Sequence, residues 1–322
     1  MNCPSCSGTR MRVRGSLPAS TLIARYRTAF QVAVDRFFPD DTDAVTLYRC
    51  GDCDLQWYRP ASPGDDKFYE DLQTKSWYYQ QEKPEFAFAG RHVAPGDRVL
   101  EIGCGNGAFA AVLPSDVVYR GLEFNGKAIE ACRIRGLDVE ARDVSTEALS
   151  NPGTYDVVCH FQVLEHVSEP GKFLSDCAAC LRVGGKMIVA VPAEDSFLSL
   201  VEDGWLNMPP HHLTRWSDRS LECAIRALGM ISLEKWHEPV AEYHRAWYRD
   251  VMMSAGLRRM LRLNVSLASG RVWGGLVRRL SASSQISERL VKFGEQIFPF
   301  AGRGHTVCLV AEKPDLAEPN YA

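Results

Sequence analysis

Nine consecutive residues, Val99-Leu100-Glu101-Ile102-Gly103-Cys104-Gly105-Asn106-Gly107, constrain the fold more than any other stretch of this 322-residue chain. An apolar run ending in closely spaced glycines reads as a buried strand that turns at once into a helix, with room for a ligand against bare backbone. The same grammar continues downstream. Short apolar runs at Arg98 to Ile102, Tyr119 to Phe124, Leu137 to Ala141, Tyr155 to Phe161, Lys186 to Pro192 and Met230 to Trp236 alternate with helical stretches, and His305 to Pro314 supplies a seventh. Such alternation indicates a mostly parallel sheet with helices on both faces, an α/β fold. The fourth and fifth runs are apolar throughout, as strands covered on both sides are.

The glycines are spaced G-x-G-x-G behind Glu101. Loops that hold a pyrophosphate use G-x-G-x-x-G, so the spacing favours a cofactor without phosphates. Taken alone, the loop is equally an ordinary strand-helix turn. Two acids add weight. Glu123 closes the second run, where a carboxylate can accept hydrogen bonds from both ribose hydroxyls, and Asp143 follows the third run within reach of an adenine amino group. Either acid by itself could be merely solvated; the ordered set is far more specific.

With Tyr155-Asp156-Val157-Val158, Gln162-Val163-Leu164-Glu165-His166-Val167, Leu181-Arg182-Val183-Gly184-Gly185-Lys186 and Val191-Pro192, the stretch from about 97 to 238, together with 305 to 314, resembles class I S-adenosylmethionine-dependent methyltransferases. The resemblance implies a Rossmann-like seven-stranded sheet whose final strand is antiparallel and inserted beside the sixth. It implies S-adenosylmethionine lying across the carboxyl ends of the first strands. Gly103, Gly105 and Gly107, with Glu101 on the same side, would line its methionine part; Glu123 would hold the ribose, Asp143 would lie near the adenine and Gln162 near the sulfonium.

Ahead of this region, Cys3-Pro4-Ser5-Cys6 and Cys50-Gly51-Asp52-Cys53 form two C-x2-C pairs. Four thiolates from two tight knuckles complete a closed tetrahedral zinc site, which leaves no open position and so is structural rather than catalytic. Residues 7 to 49 between the pairs exceed the usual spacing of a zinc ribbon, and Leu22 to Phe38 carries apolar residues at helical steps, so a helix is expected between the knuckles. This plan is similar to a subgroup of bacterial methyltransferases associated with sugar or surface-polysaccharide pathways. Cys177 and Cys180 mimic a third pair but sit in an expected helix and read as core packing. The division expected is 1–60 zinc-binding segment, 61–95 helical cover, 96–240 with 304–314 cofactor domain, and 241–303 helical insert before the last strand.

The N-terminus has neither the charged start nor the apolar stretch of a signal peptide, so the cytoplasm is the expected address and the 11 cysteines are expected to be reduced. A formal net charge of -3 argues against a nucleic-acid partner, but Arg245 to Arg303 holds 11 Lys plus Arg against 3 Asp plus Glu. Apolar and arginine positions at helical spacing there (Trp247, Met252, Arg258, Arg259, Arg262, Trp273, Arg278 and Arg279) suit peripheral contact with anionic lipid or a phosphate-bearing acceptor such as a nucleotide-linked or lipid-linked sugar. A packed lid with a solvated basic face explains the same pattern.

Methyl transfer to a hydroxyl gains from a base, and His166 is the first candidate, followed by His211 in Pro209-Pro210-His211-His212. Glu165 and His166 match part of the metal-binding E-x-x-E-H of ubiquinone-pathway O-methyltransferases, but Gln162 occupies its first position, which weakens the case for a catalytic metal. The expected function is O-methylation of a small molecule, a sugar or related metabolite. An RNA methyltransferase and a non-catalytic cofactor-binding scaffold are the alternatives.

Overall fold

The computed structural model describes residues 1–39, 41–75, 83–201, 204–260 and 284–315. Its larger sheet is built from β4 (Arg98–Ile102), β5 (Val118–Leu122), β6 (Asp138–Glu140), β7 (Tyr155–Phe161), β8 (Leu181–Pro192), β10 (Ile231–Pro239) and β11 (Arg303–Glu312), in the order β10-β11-β8-β7-β4-β5-β6. Pairing is parallel from β8 to β6, and β11 runs antiparallel to both β8 and β10. The seven apolar runs of the sequence are these seven strands, with the last inserted beside the sixth. Their ends differ by a few residues; β8 begins at Leu181, before the double glycine, because Tyr155 already pairs there.

Burial on both faces has a simple origin in the strands' two-residue period. Leu100, Val158, Met187 and Val189 pack to one side with α6 (Pro170–Cys180) and α7 (Asp218–Ala227). Val99, Val157, Cys159, Ile188 and Ala190 pack to the other against Phe86, Phe88 and Ala89 of α3 (Pro84–Gly90). Each such fully buried aliphatic or aromatic side chain contributes roughly 1.5–3 kcal/mol. Cys177 and Cys180 are wholly buried in the first of these cores. Helix starts follow the sequence as well: Asn125 caps α4 (Gly126–Ile134), Asp143 caps α5 (Val144–Ser150), and Ser217 with Ser220 forms a capping box on α7.

The N-terminal region holds what periodicity did not reveal. A second sheet, β1-β2-β3-β9, pairs β1 (Met11–Pro18), β2 (Ala44–Cys50) and β3 (Gln56–Arg59) antiparallel, and β3 then pairs with β9 (Thr214–Arg215), 155 residues downstream of its end. The helix expected over Leu22 to Phe38 is shorter: α1 spans Ala19–Ala29, Gln31 takes a left-handed φ of 60°, and only Asp35–Phe37 turns again as a short 3-10 segment. Val32 and Val34 are both buried, and residues two apart cannot share one face of a helix, so an extended segment serves the core better there. α2 (Asp66–Gln73) adds Phe68 and Leu72 to this second core.

Before β11, α8 (Arg245–Met260) and α9 (Ser284–Ile297) pack together around Met253 and Leu290. Arg262, Trp273, Arg278 and Arg279 lie outside the described residues. Among the described residues, no helix is long and apolar enough to cross a membrane.

Candidate active site

The carboxyl ends of the parallel strands gather the residues marked by the sequence. After β4, Gly103, Gly105 and Gly107 adopt φ of 68°, 53° and 73°. A Cβ at Gly103 would stand 2.5 Å from Val163 Cγ2, and one at Gly107 would stand 2.5 Å from Leu137 Cδ1, so both conformation and space demand glycine. The loop is braced by Glu123, whose carboxylate accepts from the backbone N–H of Gly105 at 2.9 Å, Phe124 at 2.8 Å and Asn125 at 2.9 Å. A carboxylate fixed in this way keeps lone pairs for hydroxyl donors. Bare glycine backbone beside it fits an adenosine-bearing cofactor.

Glu101 is buried and accepts from the Tyr119 hydroxyl at 2.6 Å; burial pushes its carboxyl up to about 8. Asp143 caps α5, taking the Thr146 N–H at 2.7 Å, which holds its carboxyl below the usual range. Gln162 follows β7 with a φ of 59°, and its amide donates to Glu85 at 3.4 Å and to the Thr306 hydroxyl at 3.3 Å.

Four residues further on, His166 joins a group of imidazoles. His166 and His211 are brought together as neighbours, with ring centroids 4.7 Å apart, and His212 stacks on His211 at 4.4 Å. One ring nitrogen of each of the three lies within 4.8 Å of the others. Oxygen acceptors occupy the Nδ1 atoms: His211 O for His166 at 2.5 Å, Leu206 O for His211 at 2.8 Å and Asn207 Oδ1 for His212 at 3.0 Å. Burial holds His166 down to about 4 and keeps His211 and His212 well below the ordinary value. Glu165, which burial raises to about 8, places Oε1 3.9 Å from Nε2 of both His166 and His212. The Tyr69 hydroxyl lies 3.2 Å from His166 Nδ1.

His212 qualified from the sequence as a candidate base beside His211, behind His166 and His211, whereas Tyr69 was not singled out as a site residue. The histidine doublet was the available signal for the first; Tyr69 carries none, because its place depends on α2 packing across the second sheet. The N-terminal region also holds the histidine loop: Tyr26 of α1 donates to Met208 O at 2.9 Å, Tyr58 of β3 to Asn207 O at 3.2 Å, and Gly64 N to Pro210 O at 3.0 Å.

At the other end of the second sheet, Cys3, Cys6, Cys50 and Cys53 converge, with their sulfurs within 4.8 Å of one another and the Cys3–Cys53 and Cys6–Cys50 pairs at 3.6 Å. Four sulfurs each about 2.3 Å from a zinc ion would stand about 3.8 Å apart in a tetrahedron. Each pair ends in a left-handed residue, Ser7 at φ 58° and Asp54 at φ 76°, and Asp52 N–H donates to Cys50 Sγ at 3.3 Å. The donor set and the spacing therefore fit zinc. A hydrogen bond from Cys53 draws the Cys3 thiol down to about 5. Ion pairing of Arg10 with Asp52, and Gly171 N donating to Pro4 O at 3.3 Å, seat the knuckles on each other and on α6.

A family model described as a methyltransferase domain matches residues 71–231, half of the chain. Among curated proteins, a ubiquinone biosynthesis O-methyltransferase of Parvibaculum lavamentivorans is 31% identical over 167 residues, covering 48% of this chain and 65% of that protein. A probable S-adenosylmethionine-dependent methyltransferase of Mycolicibacterium smegmatis is 37% identical over 109 residues, covering 33% of this chain and 42% of that one. The chain thus spans less than two thirds of the length of either. A solved S-adenosylmethionine-dependent methyltransferase from Archaeoglobus fulgidus superposes with a TM-score of 0.51 at 19% identity, covering 77% of this chain and all of that one, a likeness of fold.

Proposed function

The chain belongs to the methyltransferase domain family, and from that premise we propose that it moves a methyl group from S-adenosylmethionine to an oxygen of a small molecule, a sugar or related metabolite. Bound, the donor supplies a carbon already activated by a sulfonium, so the protein's main task is to place the acceptor. Gly103, Gly105 and Gly107, backed by Glu101, receive the methionine part; Glu123 takes the ribose hydroxyls, Asp143 the adenine side, and Gln162, steadied by Glu85 and Thr306, the methyl end. His166 and His211 form the acceptor side. Their burial keeps both rings neutral, the form that can take up a hydroxyl proton.

One observation carries this reading. Val163 packs on Gly103 while His166 N–H bonds back to Val163 O at 3.0 Å, so a single short segment joins the glycine loop to the imidazoles. Oxygen as the acceptor atom is supported by the named activity of the Parvibaculum relative. The sugar reading rests on the cysteine-knuckle plan, and the arginines of the α8–α9 region support an acceptor bearing phosphate or a lipid link, met in the cytoplasm. Zinc at Cys3, Cys6, Cys50 and Cys53 shapes the second sheet and does no chemistry.

Labelled S-adenosylmethionine offered with nucleotide sugars, lipid-linked sugars and RNA tests the proposal. Label is expected in a sugar hydroxyl, and His166→Ala should lower the rate at least about tenfold. Label in RNA would replace the substrate class. Donor binding without any product would favour a scaffold.

A further inference from the structure

Glu165 is 1% exposed, and neither of its carboxylate oxygens has a hydrogen-bond partner among the described residues. Buried carboxylates are nearly always satisfied, and an orphaned one calls for an explanation such as an ion. Around it stand nitrogen donors already set up for one. A carbonyl or amide oxygen can only accept, so the bonds to His211 O and Asn207 Oδ1 place the proton of His166 and of His212 on Nδ1. The lone pair of each ring is then on Nε2, the atom that lies 3.9 Å from Glu165 Oε1 in both cases. Anchoring the far nitrogen on an oxygen is how proteins orient metal-ligating histidines.

We propose that Glu165, His166, His211 and His212 bind one divalent transition-metal ion. The set is two adjacent pairs of residues cross-linked by backbone, with Leu213 N donating to Glu165 O at 2.8 Å, so the two halves already stand together without the ion. Bonds of about 2.0–2.1 Å to imidazole and carboxylate set ligand atoms about 3.3–3.4 Å apart around a tetrahedral ion, so the 3.9 Å contacts contract by about half an ångström and the imidazole nitrogens, within 4.8 Å of one another, close by up to about 1.4 Å. Imidazole-rich ligation selects zinc, cobalt or iron(II) rather than magnesium or calcium, which want oxygen, or copper(I), which wants sulfur. Neutral imidazoles are the binding form, and the cation would draw the Glu165 proton off. The site differs from the acidic triplet noted in the sequence: Gln162 turns to Glu85 and Thr306, and the loop before β9 supplies two histidines instead. His166, whose side chain keeps 19% exposure, opens it to solvent. With the ion in place His166 and His211 would hold it instead of taking the hydroxyl proton, and the ion's role, holding the acceptor oxygen and easing its deprotonation, is the one part that rests on the methyl-transfer reading.

The test is titration of the full-length protein, stripped of loosely held metal, with Co2+, read by visible absorption and X-ray absorption. One equivalent with weak d–d bands and only nitrogen and oxygen neighbours is expected, distinct from any cysteine-held cobalt, whose sulfur charge-transfer bands identify it. Glu165→Gln, which preserves shape, and His212→Ala should each weaken that equivalent by at least roughly 100-fold. A wild-type chain that takes up only sulfur-bound cobalt overturns the site, as does affinity unchanged in both variants. Neither donor nor acceptor is present, so this experiment succeeds or fails independently of the methyl-transfer assay.

Discussion

The glycine loop and the histidine cluster are neighbours built in opposite ways. The loop comes from nine consecutive residues, and the acid that braces it lies one strand later. The cluster draws Tyr69, Glu165, His166, His211 and His212 from three separate segments, and its loop hangs from Tyr26, Tyr58 and Gly64 of the N-terminal region. The difference teaches that the proposed donor side is set by local backbone, whereas the proposed acceptor side depends on a small sheet closed by four cysteines.

The most severe way to break that comparison is Cys53→Ser. Losing a structural zinc should lower the melting temperature by on the order of 10 °C or more and abolish methyl transfer. Calorimetry should still show S-adenosylmethionine binding within about threefold of wild type at low temperature. Donor affinity that collapses in step with activity would mean that the two regions are not independent.

Gly103→Ala probes the other side. The added methyl meets Val163 at a left-handed φ of 68°, a strain of about 1–3 kcal/mol, so donor binding should weaken roughly 10- to 100-fold with little change in melting temperature. Adding Val163→Ala should restore part of the loss. No recovery would assign the whole effect to backbone conformation rather than to the contact.

A third difference is expected in the response to pH. Glu101 sits at about 8 when folded, against an ordinary 4.5, so between these values the folded chain holds a proton that the unfolded chain has released. Its contribution to stability is full below about pH 4.5 and is lost as pH rises to about 8. Glu101→Gln should flatten that decline in urea midpoints measured from pH 5 to 8. A slope identical to wild type would show that the buried acid is neutralised by something other than its own proton.

Much of this was readable in one dimension. The inner strands β4, β7, β8 and β11 appeared as apolar runs because burial on both faces leaves little room for polar residues, the partly exposed β5, β6 and β10 were legible from their place in the strand-helix alternation, and the glycines, Glu101 and Glu123 were marked by spacing against a strand end. The second sheet was not readable. β1 is long but mostly exposed, β2 buries only Val45, Leu47 and Cys50, and β3 and β9 are four and two residues long, too short for a periodic signal. The helix drawn from Leu22 to Phe38 failed at Val32 and Val34 for the complementary reason: apolar residues in a row look helical until a core claims two that lie two apart.

By itself, then, the sequence determined the parallel sheet, the left-handed turns after β4 and the four cysteine sulfurs available to the N-terminal cluster, because each depends on residues close together along the chain or on chemistry that only one residue type supplies. Tertiary structure alone decided that Glu165 and His166 would face His212, and that Tyr26 and Tyr58 would carry the histidine loop. Those contacts join residues about 45 to 180 positions apart, and only the packing of β3 against β9 determines which of many polar side chains end up sharing one buried space.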